Sequence, residues 1–254
     1  MKRIKLVIAY DGTQYCGWQL QPGKPTIEAE VNRALSELLG EEITVIGASR
    51  TDSGVHAQGN VAVFDTESRI PAQKIAQAVN QHLPEDIRVQ SSEEVASDFH
   101  PRRCVSRKTY EYRILNRRIA LPTERFYSSF IYYTLDVELM QKAAAYFIGE
   151  HDYKSFCSVK TQALDTVRTI YRLDVDKIGD KITITVTGSG FLYNMIRIIA
   201  GTLLEIGRGA YPPETVQTML EGRDRSLAGP TAPAQGLTLV KIEYSNEEGR
   251  REDD

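Results

Sequence analysis

The chain has 254 residues, of which 41% are hydrophobic and 26% charged; that length buries a real core and excludes a short peptide or a disulfide-framed miniprotein. No apolar run approaches the roughly 18 residues that a helical membrane span requires, and Met1-Lys2-Arg3-Ile4-Lys5 leads into a strand-like stretch without the apolar core of a signal peptide, so a soluble, cytoplasmic chain is expected. The formal charge of −3 argues at face value against a polyanionic partner, but residues 243–254 hold six acids against two arginines, and without them the body is slightly basic.

Ile4 to Tyr10 alternates like a strand, and Thr26 caps a segment with Ile27, Val31, Leu35 and Leu38 at helical spacing. Ile43 to Ile46 and Val61 to Phe64 read as two strands around a loop from Gly47 to Gly59. Pro71 then opens a helix with Ile75, Val79 and Leu83 on one face, and Ile87 to Val95 returns as a strand. The order β-α-β-β-α-β is that of a ferredoxin-like unit. A second pass follows: a strand from Arg107 to Leu115, a helix from Val137 to Ile148 with Gly149 as its C-cap, and a hairpin of Val167–Val175 and Lys181–Val186 about Gly179-Asp180. A helix from Phe191 to Ile206, a short one after Pro212-Pro213 and a strand from Leu237 to Tyr244 complete it. The expected fold class is α+β: two ferredoxin-like (RRM-like) β-α-β-β-α-β halves, antiparallel sheets side by side, helices on one face. The expected domains are residues 1–105, residues 106–245 and an acidic, disordered tail, residues 246–254.

Cys16, Cys104 and Cys157 form no C-x-x-C pair, and His56, His82, His100 and His151 have no metal-ligand spacing, so neither a disulfide framework nor a metal site is expected. The informative stretch is the polar loop Gly47-Ala48-Ser49-Arg50-Thr51-Asp52-Ser53-Gly54-Val55-His56-Ala57. Polar loops between strands carry function more often than packing does. Asp52 is open to reading as a nucleophile, a metal ligand or an Asx-turn former, and Arg50 as its orienter, a phosphate binder or a surface ion pair. Tyr15 and Trp18, among amide side chains, fit either a nucleotide-contacting loop or the core. Residues 102–125 carry eight bases against two acids, enough to hold phosphate. In Lys108-Thr109-Tyr110-Glu111-Tyr112 the aromatics suit base stacking beside phosphate contacts, or a sheet core. Arg197 lies in an apolar helix and, if buried, needs a partner such as Asp52.

These residues resemble the TruA-type tRNA pseudouridine synthases. The loop Ser49-Arg50-Thr51-Asp52-Ser53-Gly54-Val55-His56-Ala57 looks like that family's catalytic signature. Tyr10-Asp11-Gly12 with Gly17-Trp18-Gln19, Phe99-His100-Pro101-Arg102, Tyr110-Glu111-Tyr112, the Phe191–Gly201 segment and Thr231-Ala232-Pro233-Ala234-Gln235-Gly236-Leu237 follow in the family's order. Arg103-Cys104 and Ile198 depart from common family residues without removing a catalytic group. The resemblance implies isomerisation of uridine to pseudouridine at positions 38, 39 and 40 of the tRNA anticodon stem-loop by a homodimer, with no cofactor, no catalytic metal and no membrane. It implies Asp52 as nucleophile, Tyr110 as the ring stacking on uracil and relaying a proton, and Arg197 as the partner of the Asp52 carboxylate. Arg50 would hold the target nucleotide out of its stem, with His56, Arg102 and Lys108 also at the tRNA. The principal alternative is an RRM-like module that binds structured RNA without changing it. A metal-dependent phosphoryl-transfer enzyme using Asp11 with Asp52 stands third.

Overall fold

Alternate residues of β1 (Lys2–Tyr10) are buried, so Ile4, Leu6, Ile8 and Tyr10 face a core while the bases between them do not. In this computed structural model, residues 1–159 and 165–245 are described; the acidic tail anticipated at 246–254 lies outside them. After β1 come α1 (Ile27–Leu39), β2 (Ile46–Gly47), β3 (His56–Thr66), α2 (Ala72–Val79), β4 (Ile87–Val95), β5 (Ser106–Asn116), β6 (Ser129–Ile131) and α3 (Val137–Ala145). Then follow β7 (Gly149–Asp152), β8 (Val167–Ile178), β9 (Lys181–Gly188), α4 (Met195–Gly207), α5 (Thr215–Gly222) and β10 (Leu237–Tyr244). The described residues thus form a mixed α+β protein. No helix among them is long and apolar enough to cross a membrane.

Among the described residues two compact units emerge: Met1–Ser106 with Leu239–Ser245, and Arg107–Thr238. The sequence-based boundary gave the whole of 106–245 to a second domain, whereas the last strand joins the first unit. There the Val240 carbonyl runs so close to β3 that a Cβ on Gly59 would lie 2.8 Å from it. The Tyr244 hydroxyl also donates to the Pro101 carbonyl at 3.0 Å.

In the first unit the strand order is β4-β1-β3-β10, with β2 on β3. Thr26 caps α1 as expected, its Oγ1 accepting from Ala29 N–H at 3.4 Å, and Ile27, Val31, Ala34 and Leu35 are the buried stripe. α2 is locked to β4 by the Ser92 hydroxyl and by Asn80, which exchanges two hydrogen bonds with the Val89 main chain. The strand anticipated at Ile43–Ile46 shrinks to Ile46–Gly47, because the Ile43 and Val45 amides are taken by Ser36 and Asn32 of α1. β3 starts earlier than expected, at His56, since its pairing with β1 runs on to Tyr10↔Ala57.

In the second unit the order is β5-β9-β8-β7, antiparallel throughout, with β6 added parallel to β5. α3 lies against α4, where the Asp136 amide donates to the Gly207 carbonyl at 2.8 Å, and against β8 through Gln141 and the Val175 carbonyl. α3 ends at Ala145, and Gly149 is not its cap: at φ 112° it opens β7 instead. α4 begins at Met195 rather than Phe191, because Asn194 sits at φ 62°, outside helical geometry.

Candidate active site

The segment between β2 and β3 leaves the sheet at Ala48, whose N–H still donates to the Val61 carbonyl at 2.7 Å. Beyond it the chain runs extended, so burial alternates: Ser49 and Thr51 are buried, Arg50 is exposed and Asp52 half-buried. The Asp52 carbonyl accepts from Val55 N–H at 3.1 Å, closing a turn in which Gly54 takes φ 77°. A positive φ at that third turn position is the one glycine supplies without strain. Asp52 therefore sits on the shoulder of a tight turn, and its carbonyl makes that turn.

The chain from Tyr10 to Trp18 holds this loop from the other side. Trp18 N–H donates to the Thr51 carbonyl at 3.0 Å, and the Tyr15 carbonyl accepts from the Ser53 hydroxyl and the Gly54 amide. His56 is buried, with Nδ1 3.1 Å from the Gly12 amide and 3.1 Å from an Asp11 carboxylate oxygen. Tyr15 and Trp18, read from sequence as nucleotide contacts or as core, are core. Trp18 is 2% exposed, and the Tyr15 hydroxyl is spent on Asp86 at 2.7 Å, burial and that carboxylate holding its pKa high. Arg102 lies beyond β4 in the exposed turn after His100, whose Nδ1 accepts from the Arg102 amide at 3.2 Å.

Tyr110, Lys108 and Arg197 belong to the second unit. Tyr110 and Tyr112 share a face of β5 but differ in state. The Tyr112 ring is fully buried and its hydroxyl donates to the Pro233 carbonyl at 2.9 Å, with burial pushing its pKa up to about 12. Tyr110 is 8% exposed and meets Phe191 edge-on, ring centroids 5.4 Å apart. Arg197 donates from Nε to the Ala232 carbonyl at 2.8 Å and from Nη1 to the Asn194 side chain at 2.9 Å. The Ala232 amide returns a bond to the Arg197 carbonyl at 3.0 Å. The Thr231–Leu237 motif thus earns its place by clasping the first turns of α4.

The sequence profile described as tRNA pseudouridine synthase matches residues 6–102 and 143–245. The chain belongs to that family. A tRNA pseudouridine synthase A of Brevibacillus brevis is 48% identical over 244 residues, covering 96% of this chain and 100% of the relative. The relatives of that name from Thermoanaerobacter sp. and Ruminiclostridium cellulolyticum are 46% and 48% identical, again over 96% of this chain and 100% of their own lengths.

In this pseudouridine synthase the basic stretch 102–125 is less available than its count implies. Arg113 pairs with Glu111 at 2.8 Å and Arg117 with Asp180 at 3.6 Å, while Arg107 lies over the Tyr171 ring at 4.8 Å. Arg102, Arg103 and Arg118 are exposed. Sequence reasoning passed over Asn60, which the structure buries completely beside the Asp52 loop. The available signal was an asparagine inside the run Gly59-Asn60-Val61-Ala62-Val63, since asparagine is depleted in strands unless its amide has work there.

Proposed function

We propose that this protein isomerises uridine to pseudouridine at positions 38, 39 and 40 of the tRNA anticodon stem-loop, in the cytoplasm, as a homodimer, with Asp52 as nucleophile and no cofactor. Family membership over nearly the whole chain supports the tRNA isomerase activity. The observation that carries the role of Asp52 is its place on a loop pinned on both flanks by main-chain and buried side-chain bonds. A carboxylate carried on a main chain fixed in that way needs little backbone reorganisation to attack.

In the reaction the N1–C1′ bond breaks, the uracil turns, C5 joins C1′ and the C5 proton leaves. Asp52 either attacks C1′ as N1 departs or adds to C6 of the base; the bond it forms breaks again to release pseudouridine with a free Asp52 carboxylate, and N1 takes up a proton as C5 gives one up. Arg197, fixed by Ala232 and Asn194, pairs with the Asp52 carboxylate in this reading and keeps it ionised. Tyr110 stacks on the uracil and relays a proton. Arg50 holds the flipped nucleotide, Arg102 and Lys108 grip the backbone, and His56 serves the substrate site by holding Gly12 against the loop. We read both halves as ferredoxin-like (RRM-like). The order β1-α1-β2-β3-α2-β4 supports this, as does the recurrence of β-α-β-β-α in β5-α3-β8-β9-α4, with β6 and β7 as additions, although most of the closing strand, β10, goes to the first unit.

The test is tritium release from tRNA labelled at uridine C5, with the wild type and Asp52→Asn compared in chelator. Release by the wild type alone is the expected result. Binding without release by either protein would favour a non-catalytic RNA-binding module, and release by both would displace Asp52 from its role.

A further inference from the structure

We infer that Asn60, Tyr10 and Thr51 form a buried positioning relay that aims Asp52, an inference that rests on Asp52 being the nucleophile. Asn60 is fully buried, Tyr10 is 4% exposed and Thr51 8%. The Asn60 Nδ2 donates to the Ser49 carbonyl at 3.1 Å and to the Tyr10 hydroxyl at 3.3 Å, while its Oδ1 accepts from the Val61 amide at 2.9 Å. The Tyr10 hydroxyl and Thr51 Oγ1 share a hydrogen bond of 2.8 Å.

The local geometry shows why the site needs such a device. The β2–β3 ladder stops at Ala48, one residue before the loop, and the Asn60 side chain supplies the next attachment, to Ser49. Register on the other side of β3 shifts at the same place, from Ile8↔Asn60 to Tyr10↔Ala57, so β3 carries one extra residue there. Such a bulge re-aims a strand's side chains beside a functional site. Here it coincides with the point where one amide serves a carbonyl of the loop and a hydroxyl of β1. From that hydroxyl the relay reaches the side chain immediately before Asp52, and Trp18 N–H fixes the carbonyl of the same Thr51. Thr51 is thereby held at both its main chain and its side chain, leaving Asp52 little freedom to drift. None of these three side chains needs to touch tRNA to affect the rate.

Tyr10→Phe removes only a hydroxyl and leaves the ring beside Trp18, 6.0 Å between centroids. Thr51→Val removes the partner hydroxyl at constant shape, and Thr51→Ser restores it. Tritium release measured against tRNA concentration separates kcat from KM, and thermal melting confirms that each variant is folded. Tyr10→Phe and Thr51→Val are expected to lose roughly 10- to 100-fold in kcat, the scale of a misplaced reacting group, with KM within about threefold, and Thr51→Ser to recover most of the loss. If both variants keep kcat within about threefold while Asp52→Asn is inactive, the relay is overturned and the nucleophile stands. A loss confined to KM overturns the relay as well. If Asp52→Asn itself turns over normally, the reading of Asp52 falls and the relay with it.

Discussion

His100 shows how one residue reports on its surroundings. Burial and then the charges of Arg103 and Arg102 push its pKa down, and its Nδ1 accepts a main-chain N–H, a role open only to an unprotonated nitrogen. The folded pKa lies below the unfolded value near 6.5, so this contribution to stability is complete above about pH 6.5 and is lost as pH falls through that range towards the folded pKa. A proton NMR titration of the His100 ring is expected to show its midpoint below that of an unfolded histidine. Binding of an anticodon stem-loop RNA should raise it, because phosphates at Arg102 and Arg103 offset the charges that lower it. A midpoint indifferent to RNA would remove Arg102 from the tRNA contacts. Residues of this kind divided sharply in how well sequence revealed them. Among the residues proposed for the site, Asp52, Tyr110 and Arg197 stood out because their types are conspicuous where they lie. The burial of the Tyr112 hydroxyl against the Pro233 carbonyl was invisible, since that partner lies more than a hundred positions away. Asn60 stayed hidden for the same reason: both groups to which its Nδ2 donates come from other segments.

At the scale of elements, local chemistry was legible wherever it decided the outcome. Thr26 reads as a cap and is one, and Leu237 to Tyr244 reads as a strand and is one over that span. Where a neighbouring element competes for the same amides, sequence misled, as with Ile43 and Val45, whose N–H groups go to α1. α4 carries Arg197, the residue proposed to pair with the Asp52 carboxylate. A Cβ on Gly201 would lie 1.8 Å from the Pro230 carbonyl, so helix and clasp approach as closely as main chains allow. Gly201→Ala is therefore expected to destabilise the protein by about 1–3 kcal/mol, the usual cost of overpacking. Because Ala232 holds Arg197 from the same strip, turnover should fall with it. Calorimetry and tritium release on the one variant check both, and unchanged melting would mean that the clasp yields more readily than its main-chain contact implies.

At the scale of the whole molecule, α+β architecture was legible from the order of elements, while the partition of the chain was not. Hydrophobic alternation along Leu237–Tyr244 declares a strand but not which unit it completes. The first unit is built from two separated stretches and the second from one continuous stretch, Arg107–Thr238. That arrangement has a consequence during biosynthesis. A ribosome that has delivered Ser106 has made four strands of the first unit's sheet but not the fifth, and at about 5–20 residues per second the missing one arrives many seconds later. Throughout that delay the edge of β3 awaiting β10 is an open template for pairing with any nascent neighbour. A fragment ending at Ser106 should aggregate on its own and become soluble when a peptide spanning Leu237–Ser245 is supplied in trans, an outcome that light scattering reads directly. The nascent chain must thus carry an unfinished sheet for as long as Arg107–Thr238 is being synthesised.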